Sequence, residues 1–167
     1  MVPTPLRARV LVLSDASARG QREDRSGPAV RDFLTSLGWT VLGLEVLPDD
    51  AEAIQRRLKT WCDAEDCDAI FTTGGTGLGP RDCTPEATRA VLDREVPGLA
   101  ELMRAEGVRK TRRAALSRSV VGWRRRTFIV NLPGHPSAAV ESLGSIADLL
   151  PHAVDLIQGR TAHPNSG

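Results

Sequence analysis

The 167-residue sequence predicts an α/β fold, a three-layer α/β/α sandwich around a mostly parallel sheet. Short apolar runs, typical of buried parallel strands, alternate with segments whose apolar residues recur at helical spacing. Proline and glycine interrupt the chain between these segments, as turns require. The chain has no internal repeat or linker composition, so we predict one domain over 1–167 with flexible ends at 1–6 and 161–167.

The first strand and helix are indicated by residues 9–38. Arg9 to Leu13 is a compact apolar run that predicts a buried strand ending before Ser14. A polar loop follows, and then four apolar residues share one helical face, namely Val30, Phe33, Leu34 and Leu37. Gly38 is suited to ending that helix.

The next strand spans Thr40 to Leu47 and ends at Pro48. Asp49 or Asp50 then caps a helix that carries Ile54, Leu58 and Trp61 on one face. A third strand, 68–73, leads into a glycine-rich loop. Thr84 as a cap, Pro85 at the first helical position and Glu86 in the first turn predict the helix behind that loop.

The second half of the chain is less regular. Pro97-Gly98 interrupts the helix, and helical character resumes over 99–108. Residues 115–126 are basic and weakly patterned. Residues 128–132 predict another buried strand, 137–149 a helix, and Pro151 the start of a short last helix.

Composition excludes several classes of function. The net charge of +1 gives no general attraction for nucleic acid or anionic lipid, and no apolar run approaches the roughly 20 residues of a membrane span. Three cysteines without Cys-x-x-Cys spacing favour reduced thiols, and the N-terminus does not resemble a signal peptide, so we predict a cytoplasmic protein. The arginine-rich stretch 104–126 contains only one aromatic residue, Trp123, which favours a solvated or subunit-facing segment over a nucleic-acid site.

Four loops with chemically useful residues follow predicted strands, at 14–15, 48–50, 74–82 and 131–134. In an open α/β sheet, ligands bind beyond the carboxyl ends of the strands. We therefore expect these loops, although distant in sequence, to form one site. His135 follows the last of them and is either a ligand contact or a bystander.

The loop Gly74-Gly75-Thr76-Gly77 suits a phosphate, because glycines expose backbone N–H groups and permit close approach. No lysine follows in the spacing of a P-loop, so the chain is not a P-loop NTPase. Asp82 ends the loop and Asp49 lies at the same predicted edge. One or two carboxylates with waters commonly hold a phosphate-bound Mg²⁺, so the pair is a candidate metal site.

These residues resemble a known family. The run Thr72 to Thr84, followed by Pro85-Glu86-Ala87-Thr88, is similar to the motif of the molybdopterin adenylyltransferases of the MogA/MoaB type. Three further blocks agree in order and spacing, so that the resemblance covers about 10–159. They are 13–15 with 24–28, then 116–118, then 129–134.

The resemblance implies that Mg-ATP adenylates molybdopterin, with release of pyrophosphate, in molybdenum-cofactor biosynthesis. It implies Asp49 and Asp82 as catalytic and Mg²⁺-binding residues, and a homotrimer or hexamer in contact with the molybdenum insertion enzyme. It further implies substrate- and nucleotide-binding positions at Ser14, Asp15, Thr73, Gly74, Gly75, Thr76, Gly77, Ser117, Asn131, Pro133 and Gly134.

Three residues depart from the family pattern, namely Ala16, Cys83 and His135. An alternative function within the same pathway is a non-catalytic protein that binds and delivers molybdopterin. It would use the same loops without needing metal at the two carboxylates.

Overall fold

A computed structural model describes residues 4–160 of the chain. Within that range the strands are β1 (Arg7–Leu13), β2 (Thr40–Leu47), β3 (Ala69–Thr73), β4 (Arg94–Glu95), β5 (Val121–Arg124) and β6 (Thr127–Leu132). The helices are α1 (Asp15–Ala18), α2 (Ser26–Ser36), α3 (Ala51–Asp63), α4 (Thr84–Val91), α5 (Pro97–Val108), α6 (Pro136–Ile146) and α7 (Leu150–Ile157). Short 3₁₀ helices occupy Arg112–Leu116 and Ala147–Leu149.

The six strands form one sheet in the order β2-β1-β3-β6-β5-β4. The pairs β1–β2, β1–β3 and β3–β6 are parallel, whereas β5 runs antiparallel to both β6 and β4. The predicted mostly parallel α/β sheet is therefore confirmed. The chain leaves β1 toward β2 on one side and returns to β3 on the other, which places a topological switch point between β1 and β3.

Two apolar cores lie on opposite faces of the sheet, as the alternating side chains of each strand require. One core joins Val10, Phe71 and Val130 to side chains of α2, α5, α6 and α7. The other joins Leu11, Ile70 and Ile129 to side chains of α3 and α4. The helices thus sandwich the sheet, in the three layers that the sequence predicts.

Strands β4 and β5 are not predicted from the sequence. Segment 115–126 contains a 3₁₀ turn followed by β5, which pairs with β6 and buries Val121. Pro97 does not interrupt a helix: α4 has already ended at Val91, and Pro97 occupies the first turn of α5. Proline is tolerated there because its missing N–H would have no partner in the helix.

The hydrogen bonds at the helix starts show which predicted capping residues act as caps. Asp50, not Asp49, caps α3, because its side chain accepts from the Ala53 N–H at 3.0 Å. Gly38 has φ +81° directly after α2, as predicted for a helix stop. The prediction of Thr84 as a cap is wrong, since its buried hydroxyl donates to the Gly74 carbonyl at 2.9 Å.

The ends of the chain are only partly described, because residues 1–3 and 161–167 lie outside the described range. Within the segment 1–6 that is predicted to be flexible, Leu6 is 1% exposed and packs in the core. Its carbonyl accepts from the Thr40 N–H at 2.9 Å. In the stretch from residue 4 to residue 160, no helix has the length and apolarity needed to cross a membrane.

Candidate functional site

The four loops singled out in the sequence meet at one edge of the sheet, as predicted. Parallel strands β1, β2, β3 and β6 present their carboxyl ends there. Short hydrogen bonds join the loops: Ser14 N–H to the Leu47 carbonyl at 3.0 Å, and the Thr73 hydroxyl to the Pro133 carbonyl at 2.7 Å. The shared edge follows from strand direction alone, which is why sequence reasoning could find it.

The glycine-rich loop needs glycine at its start. Gly74 and Gly75 have φ of +100° and +69°, a region that side chains disfavour. A Cβ at Gly74 would stand 2.3 Å from the Leu13 carbonyl oxygen. One at Gly134 would stand 3.3 Å from the Gly74 Cα. The ends of β1, β3 and β6 can approach this closely only because these positions lack side chains.

The far end of the loop folds over Asp82. Its Oδ2 accepts from the Gly79 N–H at 2.9 Å, and its own N–H donates to the Gly79 carbonyl at 3.1 Å. A Cβ on Gly77 or Gly79 would stand 2.9 or 3.0 Å from that same Oδ2. The loop therefore fixes the Asp82 carboxylate through local contacts that depend on small residues.

Asp49 is held by a different partner, Asp15. Its Oδ2 accepts from the Asp15 N–H at 3.2 Å, whereas Oδ1 is buried and accepts from no described residue. Burial raises the pKa of Asp49 above its ordinary value, and the negative charges of Asp15 and Asp82 add to this, against the Asp15 hydrogen bond. A buried carboxylate oxygen without a donor can serve as a ligand for a cation.

Asp15 contacts protein groups on both sides. Arg81 donates to it from Nε at 3.1 Å and from Nη2 at 3.2 Å. That side-chain hydrogen bond is the main reason why the pKa of Asp15 lies below its ordinary value. Asp15 is a predicted binding residue, and the structure places it between Arg81 and Asp49.

A cavity of about 830 Å³ opens at this edge. Predicted site residues that line it are Ser14, Asp49, Thr73, Gly74, Gly75, Asp82 and Gly134. The volume lies within the range of small-molecule sites. His135 also lines the cavity, with its Nδ1 2.9 Å from the Ser137 hydroxyl.

One wall of this cavity was missed as a site element. Ser17 and residues 22–26 line it, including two arginines, Arg22 and Arg25. Asp24 Oδ1 accepts from the Gly27 N–H at 3.1 Å and orders the entry to α2. An Asp three residues before a Gly-Pro helix start is the sequence feature that could have identified this turn.

A second cavity of about 450 Å³ lies beyond the same loop. Predicted site residues Thr76, Gly77, Ser117 and Pro133 line it, together with Arg104, Lys110 and Arg113 from the basic stretch. Arg104 donates to the carbonyls of Ser117 and Ser119 at 3.3 and 3.0 Å. Part of the arginine-rich stretch, for which the sequence favours a solvated or subunit-facing segment, therefore faces a cavity.

Asn131, like Asp15, is a predicted binding residue that lines neither cavity. It is fully buried, and its amide donates to the Thr72 and Thr88 hydroxyls, both at 3.0 Å. Its Oδ1 accepts from the Val120 N–H at 3.1 Å. The side chain therefore joins β3, β6 and α4.

All three cysteines are free. Burial raises the pKa of Cys62 to about 12 and that of Cys67 to about 11, so both thiols stay protonated and inert. Cys83 stands just before α4, close to the site, and its thiol pKa is raised mainly by burial and further by Asp49.

The chain is similar to known proteins over most of its length. A family described as "Probable molybdopterin binding domain" matches residues 9–152. The molybdopterin adenylyltransferase of Helicobacter pylori (strain J99) is 39% identical over 158 residues, which cover 93% of this chain and 90% of that protein. The molybdenum cofactor synthesis protein cinnamon of Drosophila melanogaster is 43% identical over 150 residues, or 89% of this chain, but the chain spans only 25% of its length.

Among solved structures, the molybdopterin biosynthesis enzyme MoaB from Thermus thermophilus is 52% identical, with a TM-score of 0.87. The match covers 92% of this chain and 97% of that one. The similarity therefore extends over the strands and loops that build both cavities.

Proposed function

The chain belongs to the family of probable molybdopterin-binding domains, and on that premise we propose that it is a molybdopterin adenylyltransferase that uses Mg-ATP at the loop 74–82. In this reaction a molybdopterin phosphate oxygen bonds to the α-phosphorus of ATP. The bond from that phosphorus to the bridging oxygen breaks, and pyrophosphate leaves. The product is adenylated molybdopterin, an intermediate of molybdenum-cofactor biosynthesis.

The observation that carries the proposal is the pairing of Asp49 and Asp82 in one cavity with a glycine-rich loop. Both carboxylates line the cavity of about 830 Å³, and the negative charge of Asp82 raises the pKa of Asp49. The N–H groups of residues 75–78 donate to no described residue, which leaves them available to phosphate oxygens. Carboxylates beside free amides suit a phosphate that arrives with a cation.

The residues present fit a magnesium ion. Asp49 Oδ1 is buried without a donor, as a ligand oxygen would be before metal binding. The described residues hold no cluster of three or more His, Cys, Asp or Glu side chains that could retain an ion unaided. Mg²⁺ is commonly bound by one or two carboxylates plus phosphates and waters, so Asp49 and Asp82 would hold it together with the nucleotide. The ion would neutralise phosphate charge during transfer.

The chain's own groups have separate tasks in this proposal. Arg22 and Arg25 line the cavity wall beside Glu23 and Asp24, and their guanidinium groups would pair with the polyphosphate. Free amides of the loop bind phosphate oxygens and orient the α-phosphorus. Asp15 holds the Asp49 backbone and carboxylate in place. The chemistry then depends mostly on positioning and charge neutralisation, as in other phosphoryl transfers.

Two cavities suit two substrates. The larger is lined by Gly74, Gly75 and Gly134, and the smaller by their neighbours Thr76, Gly77 and Pro133. The loop is therefore a shared wall at which a phosphate from each side can meet. Ser117, in the smaller cavity, is then a contact for one of the two substrates.

The assembly and location that the resemblance implies are also part of the proposal. We infer a homotrimer or hexamer in the cytoplasm that hands its product to the molybdenum insertion enzyme. Light scattering after size-exclusion chromatography measures the first of these directly, and a monomer would contradict it.

The test is a reaction of the purified protein with molybdopterin, ATP and magnesium. We expect adenylated molybdopterin and pyrophosphate in equal amounts, no product after chelation of the metal, and no turnover in Asp82→Asn despite an unchanged fold. Asp50→Asn is the matched control, since asparagine also caps a helix. Molybdopterin binding that is indifferent to ATP and magnesium, without product, would establish a delivery protein instead.

A further inference from the structure

Arg118 contacts the glycine-rich loop at Gly77, which lines the smaller cavity, and at Asp82, which lines the larger one. Its Nε donates to the Gly77 carbonyl at 2.8 Å and its Nη2 to the Asp82 carbonyl at 3.1 Å. Its backbone N–H donates to the Thr76 carbonyl at 2.9 Å. Arg118 is thus bonded to the backbone at the start and at the end of segment 77–82.

That segment needs such an anchor. It contains Gly77 and Gly79, and glycine loses more conformational freedom on ordering than any other residue. The bonds inside the segment, between Gly79 and Asp82, are local and fix only its tip. Arg81 ties the segment to Asp15, and Arg118 bonds to the carbonyls of its first and last residues from a different part of the chain.

The guanidinium is itself held in place. Its Nη1 pairs with the Glu86 carboxylate in the first turn of α4, and the side chain is only 32% exposed. Three separate acceptors therefore engage three nitrogens of one planar group. Lysine could not replace it, because an ammonium on a flexible stem does not reproduce this fork.

From this geometry we propose that Arg118 is a positioning residue, which sets the place of the Asp82 carboxylate by closing segment 77–82. The proposal rests on the proposed adenylyl transfer, in which Asp82 acts on the substrate phosphates. The guanidinium of Arg118 already donates to two protein carbonyls and to Glu86, so we assign it no contact with substrate. Its effect is on the rate of transfer rather than on nucleotide affinity.

The kinetic test compares Arg118→Lys and Arg118→Ala with a substitution at an exposed arginine of α3, Arg56→Lys; Arg56 pairs with Glu52. We expect kcat to fall roughly 10-fold and 100-fold, with the KM for ATP within about 3-fold of wild type, since small misplacements of a reacting group carry losses of this size. Guanidinium at millimolar concentration should partly restore Arg118→Ala but not Asp82→Asn. Unchanged kcat in Arg118→Ala, or a rise in KM alone, would overturn the proposal.

A second measurement does not depend on activity. Hydrogen exchange of the Gly79 and Asp82 amides should accelerate at least 10-fold in both Arg118 variants without ligand, whereas the Ile54 amide in α3 keeps its wild-type rate. Accelerated exchange in a protein whose wild type makes no product would retain the positioning role and reject the adenylyl transfer. Exchange at wild-type rates would reject the positioning role, whatever the activity.

Discussion

Asp15 and Asp49 exchange hydrogen bonds: the backbone N–H of each donates to the carboxylate of the other, at 3.2 and 3.0 Å. The exchange ties the loop after β1 to the loop after β2. It uses one oxygen of Asp49 and leaves Oδ1 buried without a described donor. Asp15 therefore holds Asp49 in position, and Asp49 keeps one buried oxygen, Oδ1, that accepts no hydrogen bond from a described residue.

Two substitutions at Asp15 distinguish its role as a hydrogen-bond acceptor for the Asp49 N–H from its role as a negative charge beside Arg81. Asparagine keeps an acceptor for the Asp49 N–H but loses the negative charge that pairs with Arg81, whereas alanine loses both. We expect Asp15→Asn to keep kcat within about 3-fold of wild type and Asp15→Ala to lose about 10-fold or more, because misplacement of a positioned group slows transfer. Steady-state adenylation rates provide the measurement. Equal losses in both variants would mean that the charge itself, and not the acceptor, is what the reaction needs.

Asp49→Asn should abolish adenylation while stabilising the protein. The raised pKa of Asp49 means that its charged form is disfavoured in the folded state, so the cost is present above the folded pKa and vanishes below the unfolded value near 3.9. Relief of this cost at pH 7 is expected to be about 1 kcal/mol, or about 2–4 °C in Tm. Thermal unfolding at pH 7 and near pH 4 checks both the gain and its loss in acid.

Asp50 provides the control for that experiment. It adjoins Asp49 but caps α3 through the Ala53 N–H at 3.0 Å, a role that asparagine fills equally well. Asp50→Asn should leave Tm and activity near wild type, while Asp50→Ala should lose about 1 kcal/mol of stability. A destabilised Asp49→Asn beside an unchanged Asp50→Asn would show that the Asp49 carboxylate supports the fold after all.

Gly74→Ala should lower both stability and activity strongly, whereas Gly98→Ala should stabilise the protein slightly. Gly74 combines φ +100° with a Cβ position 2.3 Å from the Leu13 carbonyl oxygen, so alanine must displace the end of β1. Gly98 lies in α5 with no atom within 4 Å of its Cβ position, and alanine there should gain up to about 1 kcal/mol. Chemical denaturation measures both changes. A Gly74→Ala protein with wild-type stability and activity would show that the close approach of β1 to the loop is not needed.

The fold was largely predictable because its strands are buried and parallel. Such strands produce apolar runs, and β2 is predicted at its observed bounds, Thr40–Leu47. The antiparallel edge was missed because β4 has two exposed residues and β5 contains Gly122 and Arg124. Such short strands are stabilised mainly by pairing with a neighbouring strand, and the local sequence does not show that pairing.

The loops that form the site were predictable from the sequence, but the side-chain hydrogen bonds that join them were not. Asp49 and Asp82 line one cavity because strand direction places them there, and strand direction can be read from the alternation of elements. That Asn131 fastens β3 to α4, and that Arg118 closes the loop, depends on side-chain geometry between residues 30 or more positions apart. Sequence spacing carries no information about such pairs.

Asp68 precedes β3 at the end of the sheet opposite the candidate site, and we expect it to govern stability in acid. Asp68 is 4% exposed and accepts from the Arg7 N–H at 2.8 Å, from the Arg7 guanidinium at 3.3 Å and from Gln158 Nε2 at 3.1 Å. Burial alone would raise the pKa of Asp68, but these hydrogen bonds and the Arg7 charge outweigh it and hold the pKa below its ordinary value. The carboxylate therefore stabilises the fold above pH about 3.9, and this contribution is lost as the pH falls through the folded pKa.

Asp68→Asn should accordingly lose about 2 kcal/mol at pH 7, the usual worth of a hydrogen bond to a charged group, and the difference from wild type should shrink as the pH falls below 4. Asp66→Asn is the control, because its salt bridge to Arg9 is more exposed and should be worth less than about 1 kcal/mol. Urea unfolding across the acid range measures both variants. If Asp68→Asn stayed equally destabilised at low pH, its cost would come from altered packing, because loss of a titrating carboxylate must disappear once the wild-type group is protonated.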